Sequence, residues 1–414
     1  MGTGKLSLGK LWMIAYRDLR RNRRRSALTL IAVALGLALL VVTVGLIEGA
    51  ISGAIENSIR LQTGHIQIRE ESYDADKLSM KWEDLLDDAA ELTAQVETIP
   101  EVRVASPILW ANGILLAGDE SVGVRLNGID PLSETSAPFQ ESLVAGDYLA
   151  EDDRSGVLIG RRLADSLGLN PGDQVSLLVN TSDGQPDEAI FTIRGLYNTG
   201  TPTYDEATIL MPISKAQAFT RTDGRASLIF ILLHDQEQAD AVAAALSGSQ
   251  FEVLTWSELN QMILQAVETS MGIMYLMYLI VLSVVAVVIA NTLLMSVFER
   301  TREMGILAAL GMKGRQILSM FVLEAGTLGL IGVLLGILLG SVGVYYLATQ
   351  GWNIGDVATV ASAEIAYGDT IYARFAPQET FNLSIAAMLI ILVASLYPAW
   401  LAARLEPIDA LRDQ

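Results

Sequence analysis

Two glycines and a lysine in the run Gly4 to Leu11 (GKLSLGKL) stand at the spacing of a phosphate-binding loop, in which backbone amides cradle phosphate oxygens. The next position is Leu11, where such a loop needs a Ser or Thr hydroxyl to hold magnesium, and no buried strand precedes it. A flexible tail is the competing reading. The two histidines, His65 and His234, fall on separate predicted strands, so a shared metal or catalytic pair competes with unrelated core or surface positions. Neither a His-Glu-x-x-His spacing nor a Gly-x-Ser-x-Gly elbow occurs. With no cysteine, neither thiol chemistry nor a disulfide is available. The expectation is a chain with no catalytic residue and no metal site.

A denser pattern lies at 299–315, ERTREMGILAALGMKGR. Glu299, Arg300, Arg302 and Glu303 open it, and Gly305 permits a close turn. Ile306, Leu307 and Leu310 form an apolar stripe at helical spacing, and Gly311 with Gly314 closes the segment. An amphipathic helix lying flat under a membrane has this composition, and so does a solvated loop with some helix.

The elements that hold this segment are apolar runs, each near the ~20 residues that a helix needs to cross a bilayer. Spans are expected at 27–48, 271–298, 317–348 and 381–402. The first run has a basic flank, but it exceeds the roughly 7–15 apolar residues of a cleaved signal and continues in helical pattern through IEGAISGAIENSIR, so it reads as a retained span. The fold class is an α-helical membrane protein with four transmembrane helices plus a mixed α+β extracytoplasmic domain inserted between the first and second.

Charge sets the orientation. Arg17, Arg20, Arg21, Arg23, Arg24 and Arg25 precede the first span, Arg300, Arg302, Lys313 and Arg315 occupy the short loop, and Arg404 and Arg412 follow the last span. With Lys5 and Lys10 these are half of all Lys and Arg, which puts the basic N-terminus (1–26), the hairpin (299–316) and the C-terminus (403–414) in the cytoplasm. The 49–270 segment and the 349–380 loop are then outside. Most of the acid behind the net charge of −19 is in the large segment, including Glu83, Asp84, Asp87, Asp88 and Glu151, Asp152, Asp153. That sign argues against nucleic acid as a partner. A solvated acidic face and a surface for cations or basic partners both fit.

Within 49–270, HIQIRE from His65 and VGVRLNGID from Val122 alternate as strands do, 189–197, 207–211 and 227–234 read as further strands, and 85–99 and 235–246 have helical spacing. VLIGRRLADSLGLNPGDQVSLLV from Val157 reads as strand, helix, turn and strand. Two lobes are expected: a mixed base from the two ends of the segment and a β-rich insert near 140–220. Residues 49–61 and 256–270 read as helical connections to the spans.

Polar residues inside spans are costly and often functional: Glu324 in the third, Asn291 in the second, with Pro398 interrupting the fourth. Glu324 fits a structural role or one in gating. Gly332, Gly336 and Gly340 form a smooth face suited to intrachain packing or to a dimer seam.

VFERTREMGILAALGMKGRQI resembles the cytoplasmic coupling segment of the FtsX/MacB/LolC-like ABC transporter permeases. AYRDLRRNRRRSALTLIAVALG resembles that family's first span, VLIGRRLADSLGLNPGDQVSLL its extracytoplasmic core domain, and YPAWLAARLEPIDALR its C-terminal signature, so the resemblance extends over essentially the whole chain. It implies a multi-pass bacterial inner-membrane permease that dimerises, as homo- or heterodimer, and engages a separate ATPase, which would hold ATP and magnesium. This chain would hold no cofactor, having no room for a fused ATPase before Ala27. By resemblance the coupling residues are Glu299, Arg300, Glu303, Gly305, Ala309 and Gly311.

SIRLQTGHIQIREESY and VRLNGID with Pro131 resemble the lipoprotein-releasing LolC/LolE type, which implies lipoprotein cargo and a periplasmic carrier. Acyl chains would then enter near Val41, Val44, Leu46, Met271, Met274 and Met277, although plain helix packing is the stronger reading of these positions. Efflux of an amphiphile or peptide with a periplasmic adaptor, mechanotransmission to a cell-wall hydrolase, and a ligand-binding membrane sensor are the alternatives.

Overall fold

The computed structural model describes residues 23–75, 77–247, 251–354 and 368–404. The phosphate-loop-like run at 4–11, most of the basic N-terminus, the middle of the 349–380 loop and nearly all of 403–414 lie outside the described residues. The chain forms two compact units, one of residues 1–50, 267–352 and 372–414, the other of 51–266 and 353–371.

Four long helices build the first unit: Arg23–Ser58, Gln261–Glu299, Gly314–Gln350 and Pro377–Ala403. All four are long and apolar enough to cross a membrane. In lipid only a helix satisfies every backbone polar group within its own segment, so such runs fold this way. Each outruns its expected span. At ~1.5 Å per residue the 36-residue first helix is about 54 Å long, against a hydrocarbon core of about 30 Å. The first runs on through a π-type turn, Ile59–Thr63, and the second follows a short helix, Trp256–Leu259, so both helical connections expected from sequence are present.

Glycines fix how these helices meet. A Cβ at Gly332 would stand 2.7 Å from Val33 Cγ1, one at Gly336 2.8 Å from Leu37 Cβ, and one at Gly340 2.7 Å from Val41 Cβ. The smooth face of the third helix therefore packs on the first helix of the same chain. The first helix has a smooth face of its own: Gly45 accepts a backbone hydrogen bond from Arg374 at 2.8 Å, and a Cβ at Gly49 would overlap the Tyr372 carbonyl. Pro398 is buried near the end of the fourth helix.

The second unit centres on one ten-stranded sheet. Its base comprises β1 (Ile66–Glu70), β9 (Leu228–Leu233), β10 (Phe251–Thr255) and the first half of β2 (Val102–Ala117). Central β1 runs antiparallel to both neighbours, pairing Ile66 with Thr255 and with Ile231. Ile66, Ile68, Ile229 and Ile231 pack with Ala89 and Val96 of one short helix and Val242 of another.

The second half of β2 enters a closed ring of strands, a small barrel. It pairs with β3 (Glu120–Ile129) and β6 (Gln174–Asn180). From β3 the ring passes through β8 (Thr208–Pro212), β5 (Gly156–Gly160) and β7 (Pro186–Tyr197) back to β6. Strand β4 (Leu143–Gly146) lies outside the ring on β7. The enclosed core includes Leu109, Leu115, Leu126, Val157, Phe191 and Ile209. The helix Ile213–Thr220 comes close because Gly128 has no side chain: a Cβ there would be 2.6 Å from Ala216 Cβ.

The β-rich lobe thus begins at Leu109 rather than near residue 140. The helix expected over 85–99 is confined to Ala89–Val96.

Candidate coupling site

The second long helix ends at Glu299 and Arg300 leaves helical geometry, with φ −115° and ψ 15°, before the helix Thr301–Ala309 begins. Gly311 adopts φ +92°, a left-handed conformation that suits glycine, and turns the chain into the third long helix. At Gly314 a Cβ would be 2.8 Å from the Ala403 carbonyl oxygen, so glycine lets this turn approach the end of the fourth helix.

The helix 301–309 has two unlike faces. Met304 and Gly305 are buried, and Leu307, Ala308 and Met312 pack on a cluster containing Val297, Ile317, Phe321 and Ala399. On the other face Arg302, Ile306, Ala309 and Leu310 are exposed, Leu310 by 80 %. Sequence reading singled out Ile306, Leu307 and Leu310 as one stripe; the structure splits it, turning Leu307 partly inward.

Charge surrounds the junction. Arg25 Nη1 lies 2.7 Å from Glu299 Oε2. Arg300 is buried, its Nε 3.0 Å from Glu303 Oε2 and its Nη1 3.8 Å from Oε2 of the equally buried Glu324. Thr29 and Thr292 hydroxyls meet at 2.9 Å between the first and second helices.

Of the six coupling residues expected from sequence, Glu299, Ala309 and Gly311 are exposed, Glu303 is half-buried, and Arg300 and Gly305 face inward. Arg300 and Gly305 are therefore not placed to touch a partner. Arg302 and Leu310, on the exposed face, were absent from that set; the 3–4-residue spacing of the apolar stripe was the signal for Leu310. Val41, Val44, Leu46, Met274 and Met277 come together in one packed cluster with Tyr278 and Leu383. Met271 is not among them and is exposed.

The other sequence candidates serve local structure. His65 Nδ1 accepts the Leu233 amide at 2.9 Å, and burial lowers its pKa. The His234 amide donates to the Glu101 carbonyl. In the acidic clusters, Asp153 accepts from Arg194 Nε at 2.7 Å and from the amides of Ser155 and Gly156, and Asp87 pairs with Arg225 at 3.2 Å. Among the described residues no group of three or more His, Asp or Glu could hold a metal ion.

Known proteins resemble this chain in sequence. The profile described as MacB-like periplasmic core domain matches residues 26–248, and that described as FtsX-like permease C-terminal matches 275–407. The lipoprotein-releasing system transmembrane protein LolC of Neisseria meningitidis serogroup B is 24% identical over 421 residues, covering 96% of each chain. LolE of Haemophilus influenzae is 23% identical, covering 97% of this chain and 98% of its own. The macrolide export ATP-binding/permease protein MacB of Acinetobacter baylyi is 26% identical over 98% of this chain, but the match spans only 59% of MacB. With the core-domain profile matching over half of its length and the permease profile most of the remainder, the chain belongs to the MacB/LolC family of FtsX-like ABC transporter permeases.

Proposed function

We propose that this chain is the membrane subunit that passes ATP-driven closure of a separate ATPase to its own core domain, and that the cargo is a lipoprotein released from the bacterial inner membrane. One observation carries the coupling half: helix 301–309 is anchored on one side by Met304 and Gly305 and offers Arg302, Ile306, Ala309 and Leu310 on the other. An apolar pair flanked by a basic residue on a surface helix suits a groove on a protein partner, since desolvating such a face is favourable only against another protein or lipid. The cargo half is supported by LolC, whose name records lipoprotein release and which matches over 96% of each chain.

In this reading the basic segments keep 299–316 and both termini cytoplasmic, and the core domain is extracytoplasmic. ATPase closure displaces helix 301–309, and the continuous second and third long helices carry that displacement outward. Two permease protomers work together, and a periplasmic carrier receives the cargo. Efflux with a periplasmic adaptor is the second reading, favoured by the MacB match over 98% of this chain.

The test is to purify the tagged chain from its native membrane with a non-hydrolysing ATPase state trapped, and to identify what co-purifies by mass spectrometry. An ATPase with acylated lipoproteins is the expected result. An ATPase with a periplasmic adaptor or a cell-wall hydrolase overturns the cargo assignment, and reproducible absence of any ATPase overturns the coupling assignment.

A further inference from the structure

We infer that Glu324 is a positioning residue: through its buried pair with Arg300 it fixes the angle at which helix 301–309 leaves the second long helix. The inference rests on the reading of that helix as the ATPase-docking element and assigns it an internal anchor.

The geometry converges on Arg300. It is the non-helical residue between two helices, so its backbone sets the angle between them. Its guanidinium faces two carboxylates on different elements, Glu303 in the first turn of helix 301–309 and Glu324 about ten residues into the third long helix. The preceding Glu299 is held by Arg25 of the first helix at 2.7 Å. The junction is thus tied to the first and third long helices by adjacent residues of opposite sign.

Stability alone does not account for a buried pair here. Two buried charges are expensive to desolvate, and apolar residues of similar volume often replace such a pair without loss, whereas removing one partner strands the other. The neighbours Met320, Phe321 and Ala325 are fully buried and apolar, so a hydrophobic filling would suit the site. What an apolar filling lacks is direction: the Nε hydrogen bond to Glu303 orients the guanidinium, and the ion pair with Glu324, at 3.8 Å and beyond hydrogen-bond reach, attracts it toward the third long helix, whereas a hydrocarbon contact favours little.

The absence of cysteine allows a clean distance measurement. Spin labels at L310C and L338C, both on exposed positions, report the distance from helix 301–309 to the third long helix in lipid nanodiscs, with labelled chain diluted into unlabelled chain. The unaltered pair gives one narrow distance. E324Q and the apolar double variant R300M/E324L both broaden it or shift it by about one helical turn, ~5 Å. R300M/E324L nonetheless unfolds at the original temperature. A narrow, unshifted distance in R300M/E324L overturns the inference, because the pair would then only fill space. Co-purification with the unlabelled, cysteine-free chain, in which Leu310 is intact, separates the two layers: the expected distances with no ATPase bound leave the anchor standing and remove the coupling reading. An unshifted distance with ATPase bound removes the anchor alone.

Discussion

Replacing Gly336 by Ala tests the packing of the first and third long helices. The added methyl would lie 2.8 Å from Leu37 Cβ and 3.0 Å from the Ala34 carbonyl oxygen. The carbonyl belongs to helix backbone and cannot rotate away, so the helices must separate. Overpacking of this kind costs about 1–3 kcal/mol. Ala in a helix interior otherwise gains up to about 1 kcal/mol over Gly, which offsets part of that loss. Gly272 supplies the reference, since it is in the second long helix and a Cβ there meets nothing within 4 Å. Gly272→Ala receives the propensity gain alone. The two variants are therefore expected to differ by about 1–3 kcal/mol, read as a thermal midpoint several degrees lower for Gly336→Ala in detergent. Gly340→Ala, 2.7 Å from Val41 Cβ, should follow Gly336→Ala. Equal midpoints for Gly336→Ala and Gly272→Ala would refute the packing. A change in oligomer mass without a change in midpoint would assign the glycine face to a dimer seam instead.

Asp205 gives a pH dependence. Burial raises its carboxyl from 3.8 to about 6 although Thr199 donates to it through Oγ1 at 2.8 Å and through its amide. Between those values the folded chain holds a proton that the unfolded chain releases, so stability falls as pH rises from 3.8 to about 6 and stays lower above, by roughly 3 kcal/mol. Asp205→Asn should flatten this fall when unfolding midpoints are compared at pH 4.5 and 7.5, and parallel profiles would contradict it. Arg162 holds Asp369 at 2.6 Å and Glu206 at 3.3 Å, and Asp369 also donates its amide to the Gly200 carbonyl. Arg162→Ala should raise amide exchange at 368–371 while leaving the barrel strands protected, and unchanged exchange there would show that the ion pair does not hold the segment. Gly128→Leu, driven against Ala216, should destabilise the barrel by at least about 1–3 kcal/mol, read as loss of folded protein after purification.

Much of this architecture was legible because lipid imposes a blunt rule. Apolar runs of adequate length become helices, and all four appear where hydropathy placed them. Strands with strict alternation were equally visible, as β1, β3 and β7 show. The lobe boundary was not, because β2 passes from the base into the barrel as one 16-residue strand with no turn residue to mark the change. The burial of Arg300 was hidden for a related reason: its buried partner Glu324 is distant in sequence and is brought near only by the turn at Gly311. The glycine face was visible as spacing, but spacing cannot name the helix that covers it.

In the proposed mechanism the exposed face of helix 301–309 docks an ATPase. A photo-crosslinking residue placed at Leu310 in native membranes tests it directly, with the same residue at buried Met304 as the internal control. One dominant adduct is expected from Leu310, to a partner that carries an ATP-binding domain, and no such adduct from Met304. Adducts to an ATPase from neither position, or from Met304 in preference to Leu310, would contradict it.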